Sequence, residues 1–141
     1  QMPTSELEKR RMAYFFCDSL TELFNEDYLQ TILNTLDHPF KSLNILELKD
    51  FTHYNKKYSW DEGNKIIKSF AQFLKQKFPE AIIIRFHGDD FVILHKYNFK
   101  VKIDNISTFK QIDKINIDIH SYAIDEYFDF KKFQQISSHT V

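Results

Sequence analysis

Ala81-Ile82-Ile83-Ile84-Arg85-Phe86-His87-Gly88-Asp89-Asp90-Phe91-Val92-Ile93-Leu94-His95 holds two apolar runs with four turn-forming residues between them. Residues 81–86 and 91–95 read as strands. The gap of 87–90 leaves room only for a tight reversal, so the stretch is a β-hairpin with an acidic tip. Upstream, Ile66, Ile67, Phe70, Phe73, Leu74 and Phe78 recur at helical spacing, which predicts a helix over 61–78 that Pro79 stops. Before it, 42–48 reads as a strand, with Leu43 and Ile45 buried and Leu46 and Leu48 as further core candidates. Residues 49–58 form a short helical or irregular crossover. Apolar and polar residues alternate over 115–123, which predicts another strand.

The flanks are less regular. A charged helix is expected over 6–18, with Leu7, Met12 and Phe15 or Phe16 along one side. It reads as a lead-in from an upstream domain. An amphipathic helix over 26–36 ends at Asp37-His38-Pro39. Residues 100–106 read as a strand, 108–112 as a turn of helix, and 129–136 as the start of a last helix. The order suits an α/β (α+β) sandwich: a mixed, mostly antiparallel sheet with helices packed on it.

Composition narrows the function. The chain has 141 residues, a single-domain length, with Lys+Arg 19 against Asp+Glu 20. Near-neutral charge gives no electrostatic case for nucleic acid, and no basic run suggests an anionic membrane surface. A single cysteine, Cys17, rules out an intrachain disulfide. It reads as a small buried residue rather than a nucleophile. No apolar stretch nears the roughly 20 residues of a membrane span. Gln1 precedes Met2, which reads as a piece of a longer chain. His53, His95 and His120 share no metal-ligand spacing.

The acidic tip carries the chemistry. Asp89 and Asp90 stand at a sheet end, and Glu47 lies near the C-terminal end of the first strand. If that strand neighbours the hairpin, the carboxylates converge, and hard divalent cations take such oxygen ligands with nucleotide phosphates completing the shell. Asp and Gly are also ordinary turn residues, and a hairpin needs no metal to explain them. Gly63 and Gly88 are the only glycines, where about 7% is usual.

Arg85 to Leu94 resembles a variant of the GGDEF signature of diguanylate cyclases, with His87-Gly88-Asp89-Asp90-Phe91 in its place. Asp18-Ser19-Leu20-Thr21-Glu22-Leu23-Phe24-Asn25 resembles the family's Asp-x-Leu-Thr-Gly-Leu-x-Asn opening. Leu46 to Asn55 resembles its Asp-x-Asp-x-Phe-Lys-x-Ile-Asn segment, and Gly63-Asn64 falls on its Gly-Asp. The resemblance implies one GGDEF-like domain over 1–141, with a lead-in helix over 1–18 and a truncated C-terminal helix. It implies a palm-like fold related to nucleotidyl cyclases. Each family domain binds one GTP with two divalent ions, Mg²⁺ or Mn²⁺. Two half-sites meet in a dimer, and the 3′-hydroxyl of one GTP attacks the α-phosphate of the other to make cyclic di-GMP.

Carried over position by position, the resemblance makes Glu47, Asp89 and the Leu48 backbone carbonyl the metal ligands. Glu47, Asp89 and Asp90 become the catalytic acids, and Asn55, Asn64, Phe51 and Gly88 contact substrate. Several positions depart from the pattern. Asn64 stands for an aspartate, Glu47 for a shorter acid, Lys49 for a second acid, Thr52 for a lysine, and Ser59-Trp60 for Gly-His. His87 stands for the first signature glycine and reads as a turn residue stacked on a neighbouring ring. Phe78 and Ala81 occupy the product-inhibition positions, so no such site is expected. The late phosphate-holding bases have no counterpart, since Lys131 and Lys132 come too early.

The expected function is a degenerate GGDEF domain of a cyclic di-GMP signalling protein, catalytically weak or inactive, with a regulatory, dimerisation or GTP-sensing role. The other reading is an active, divergent diguanylate cyclase. The implied partners are GTP, a second copy, and neighbouring sensor or EAL phosphodiesterase domains of a longer chain. The domain is expected in the cytoplasm, attached or not to a membrane protein.

Overall fold

The computed structural model describes residues 5–138; the side chains at 52, 53 and 136–138 lie outside that description, including Thr52 and His53. Four strands form the sheet: β1 (Ser42–Lys49), β2 (Ile82–Phe86), β3 (Asp90–His95) and β4 (Asn116–Ala123), in the order β2-β3-β1-β4. The three ladders are antiparallel, and a lone parallel bridge ties Phe24 to Ile84. The central β1 is buried from Ser42 to Leu48, because helices cover both faces of the sheet.

Strand alternation assigns side chains to the two faces. Leu46, Leu48, Phe91 and Ile93 pack with Ile66, Ile67, Phe70, Ala71 and Leu74 of α4 (Trp60–Lys77) and with Phe51 of α3 (Phe51–Tyr58). Leu43, Ile45, Ile84, Val92 and Leu94 pack with Leu29 of α2 (Glu26–Leu33) and Phe133 of α6 (Phe130–Ser138). The helical stripe read over 61–78 is therefore the lid of one face. Helix α1 (Glu6–Phe16) buries none of its residues, and Leu7, Met12 and Phe15 stay exposed.

Two expectations shift. α2 stops three residues short of Leu36, which is 99% exposed, so no burial favours another turn. Residues 100–106 are not a strand but lead into the short helix α5 (Ile103–Ile106). Both sides of β1 are already taken, by β3 and β4. The chain attaches instead through Asn44, whose Nδ2 donates to the Phe99 carbonyl and whose Oδ1 accepts from the Val101 amide at 3.0 Å and the Ser121 hydroxyl at 2.6 Å.

Candidate functional site

The hairpin tip is the three-residue loop 87–89, closed by the Phe86–Asp90 pair. His87 and Gly88 both take positive φ, 50° and 82°. Arg85 binds the tip from behind: its Nε donates to the Gly88 carbonyl at 2.8 Å, and its Nη1 reaches both Asp18 carboxylate oxygens, at 3.2 and 3.1 Å. Burial acts to raise the Asp18 pKa, but the Thr21 hydroxyl and amide and then Arg85 outweigh it and hold the carboxyl below its ordinary value. The opening segment and the hairpin thus form one ionic clasp. The His87 ring lies 3.9 Å from that of Phe86, with Nδ1 3.3 Å from Glu26.

Sheet register brings the acids together. Glu47 stands opposite Asp90 on β3 and opposite Asp118 on β4, and residues directly opposite share a face. Glu47 is 3% exposed and Asp90 6%. The Leu48 amide donates to the Asp89 carbonyl at 3.2 Å, which seats Asp89 beside them. Burial first, then the charges of Asp89 and Glu47, push the Asp90 pKa up to about 8. Asp89 is also raised, by burial above all and by the Glu47 charge, while its hydrogen bond with Asp90 acts the other way. The two carboxyls are hydrogen-bonded to each other and titrate as a coupled pair, with the larger upward shift on Asp90. Lys49 offsets part of the negative charge and pairs with Asp118 at 3.5 Å.

His120 belongs to this cluster and was not legible as a site residue. Its Nε2 lies 3.1 Å from Glu47 Oε1 while the ring is half-exposed on β4. Strand alternation reveals its face, but only the β1–β4 register places it diagonally across from Glu47.

A second group lies past the other end of the β1–α3 connection. Asp50 enters α3 with φ 58°, and Ser59 joins α3 to α4 with φ 117° and ψ 159°. That second conformation is close to glycine-only territory. Asn55 is 7% exposed, and its Oδ1 has no hydrogen-bond partner among the described residues. It packs on Gly63 of α4 so closely that a Cβ there would overlap it. Phe51 is buried in the core and stacked on Tyr54 at 5.4 Å, while Asn64 is exposed on α4. Glu47 and Asp90 thus lie on the α2/α6 face near the C-terminal end of β1, and the amides on the α3–α4 side that follows it.

Other predicted positions fall apart from these groups. Phe78 is buried against His95 and Phe99, at ring distances of 5.6 and 5.9 Å. Lys131 and Lys132 are exposed in the first turn of α6. Among the described residues, no three His, Cys, Asp or Glu side chains converge as a metal-binding group. Mg²⁺ needs fewer protein ligands when phosphates complete its shell, and two hard carboxylates whose mutual repulsion a cation would relieve fit that chemistry.

An antiparallel palm-like α/β domain with acids at one end of its central strands is a nucleotidyl-cyclase class of fold. A family model described as diguanylate cyclase, GGDEF domain, matches residues 15–131. The chain belongs to the GGDEF domain family, a domain class of cyclic di-GMP signalling proteins. The coiled coil and GGDEF domain of DgcB from Caulobacter crescentus, solved in complex with c-di-GMP, superposes with a TM-score of 0.73 at 14% identity, covering 94% of this chain and 81% of that one. A diguanylate cyclase/phosphodiesterase from Caldicellulosiruptor saccharolyticus gives a TM-score of 0.61 at 22% identity, covering 77% of this chain and 76% of that one. The S helix–GGDEF–EAL portion of LapD from Vibrio cholerae gives 0.71 at 13% identity, covering 93% of this chain and 34% of that one. These likenesses concern the fold. No curated relative matches the chain.

Proposed function

We propose that this domain is a catalytically weak or inactive member of its family, acting in cyclic di-GMP signalling as a regulatory, dimerisation or GTP-sensing module. The observation that carries the reading is the state of the acids. Burial and the neighbouring carboxylates push the Asp90 pKa up to about 8, which favours its neutral form near neutral pH, so the cluster presents less negative charge to a cation than its three carboxylates promise. His87 adds a side chain at the tip, where the resembled signature has glycine.

Glu47, Asp89 and the Leu48 carbonyl would hold Mg²⁺ or Mn²⁺. The ion, when bound, would neutralise phosphate charge. Asn55 and Asn64 would contact the guanine edge through their amides. Phe51 would back that pocket from the core, and Gly88 would leave the hairpin tip open to the nucleotide. A second copy, or a sensor or EAL phosphodiesterase domain in a longer chain, would read the bound state. No described helix is long and apolar enough to cross a membrane, and we place the domain in the cytoplasm.

The test is calorimetric titration of GTP with Mg²⁺ and then with EDTA, followed by an assay for cyclic di-GMP. Metal-dependent binding with negligible product is expected. Product at ordinary enzyme rates, abolished in Asp89→Ala, would establish the other reading, an active divergent diguanylate cyclase. That reading draws its support from the retained clustering of Glu47, Asp89 and Asp90 at one sheet end.

A further inference from the structure

We propose that Trp60 is the ring on which a bound nucleobase stacks, an inference that rests on the GTP-binding reading above and adds a residue to it. Trp60 opens α4 and is 69% exposed, with no ring partner among the described residues. Its neighbour across the turn, Tyr58, differs: that ring packs on Tyr54 at 4.6 Å and sits under Lys57. Other rings are exposed too, Tyr14 and Tyr127 among them, but Trp60 is the exposed, unstacked ring that stands at the α3–α4 corner beside the amides, where it is open to a planar apolar partner.

Its position supplies the partner's chemistry. Trp60 precedes Asn64 by four residues, so the two lie side by side on one face of α4, with Cβ atoms about 5–6 Å apart. Helical side chains lean toward the N-terminus, which tilts Asn64 back over the turn that Trp60 occupies. One residue before Asn64, Gly63 receives the Asn55 amide, whose oxygen is buried and without a partner among the described residues. The α3–α4 corner thus sets an exposed aromatic face beside two amides. Amides read the edge of a base, and an aromatic face holds its plane. Stacking tolerates any base, so Trp60 supplies affinity and the amides supply choice.

Trp60 is the chain's one tryptophan, so its fluorescence reports on this corner alone. GTP is titrated into the intact chain while calorimetry and Trp emission are followed together. We expect emission to be quenched in step with the heat of binding. Trp60→Ala should weaken GTP and ATP alike by about tenfold or more, the equivalent of 1–3 kcal/mol of stacking. Trp60→Phe should recover most of the loss, and thermal unfolding should be unchanged in both variants. Tripolyphosphate should leave emission unaltered. GTP binding with constant emission and an unweakened Trp60→Ala variant would overturn the inference and leave the GTP-binding reading standing. Emission that changes on protein dilution without nucleotide would also overturn it, and would assign the ring to contact between copies. No binding of GTP at all would overturn both.

Discussion

Gly63 and Gly88 hold two corners of the same domain for opposite reasons. At the α3–α4 corner, Gly63 lies inside an ordinary helix, and what it supplies is room: a Cβ would run into the Asn55 amide and come within 3.4 Å of the Phe51 ring. At the hairpin tip, Gly88 has empty space around the position of a Cβ, and what it supplies is a backbone angle, φ 82°. Four more corners take positive φ without glycine: Glu22 at 63°, Asp50 at 58°, Ser59 at 117° and His87 at 50°. Glu22, Ser59 and His87 stand where the resembled family motifs have glycine. The fold has kept glycine's backbone where the side chain has changed, at a cost of roughly 1–3 kcal/mol per site. Only Gly63 is held by a contact that leaves no room for a side chain; Ser59 carries a side chain at a steeper angle than the one Gly88 adopts.

The largest effect should come from filling the Gly63 space. Gly63→Val should cost about 3 kcal/mol in urea unfolding through overpacking. The same change in an Asn55→Ala background should cost less than half of that, because the clash is with that amide. An equal cost in both backgrounds would mean that Gly63 is kept for its backbone, as Gly88 is.

At the hairpin end, the raised Asp90 pKa sets a pH dependence. Its ordinary value is 3.8 and its folded value about 8, so between these the folded state binds the extra proton. Asp90 therefore destabilises the fold as pH rises from about 4 to 8. Asp90→Asn should raise stability at pH 8 and leave pH 4 nearly unchanged, which flattens the slope between them. An unaltered slope from pH 4 to pH 8 would show that the cluster's proton resides elsewhere.

Smaller effects separate angle from contact. Ser59→Gly should stabilise by up to about 1 kcal/mol, since the relief of φ 117° outweighs the lost cap bond that the Ser59 hydroxyl accepts from the Glu62 amide at 3.2 Å. Thermal unfolding reads this as a rise of several degrees. At the tip, Gly88→Ala should cost about 1 kcal/mol and Gly88→Asn roughly half as much, because asparagine tolerates the left-handed region. Equal costs for the two would point to a steric contact that the open space around Gly88 does not suggest.

Much of the fold was readable because its signals are local. The α4 stripe, the Pro79 stop and the two apolar runs around residues 87–90 each announce one element by periodicity or turn chemistry. The stretch 100–106 misled because its residues suit a strand, whereas the available partner was the Asn44 side chain rather than a sheet edge. The acids at 47, 89 and 90 were legible as candidates once β1 was taken as a neighbour of the hairpin. His120 was not, since its partnership with Glu47 spans 73 positions and depends on the register of the edge strand. Trp60, visible as a departure from the family pattern, acquires a role only when its exposure is known.

The sequence by itself determined most of the element types outside 100–106, the hairpin and the family, because each follows from neighbouring residues or from motifs in order. Tertiary structure alone decided which charges share a site and what state they are in. Burial and register place Asp90 opposite Glu47 and beside Asp89, and a carboxylate surrounded by like charge away from water keeps its proton.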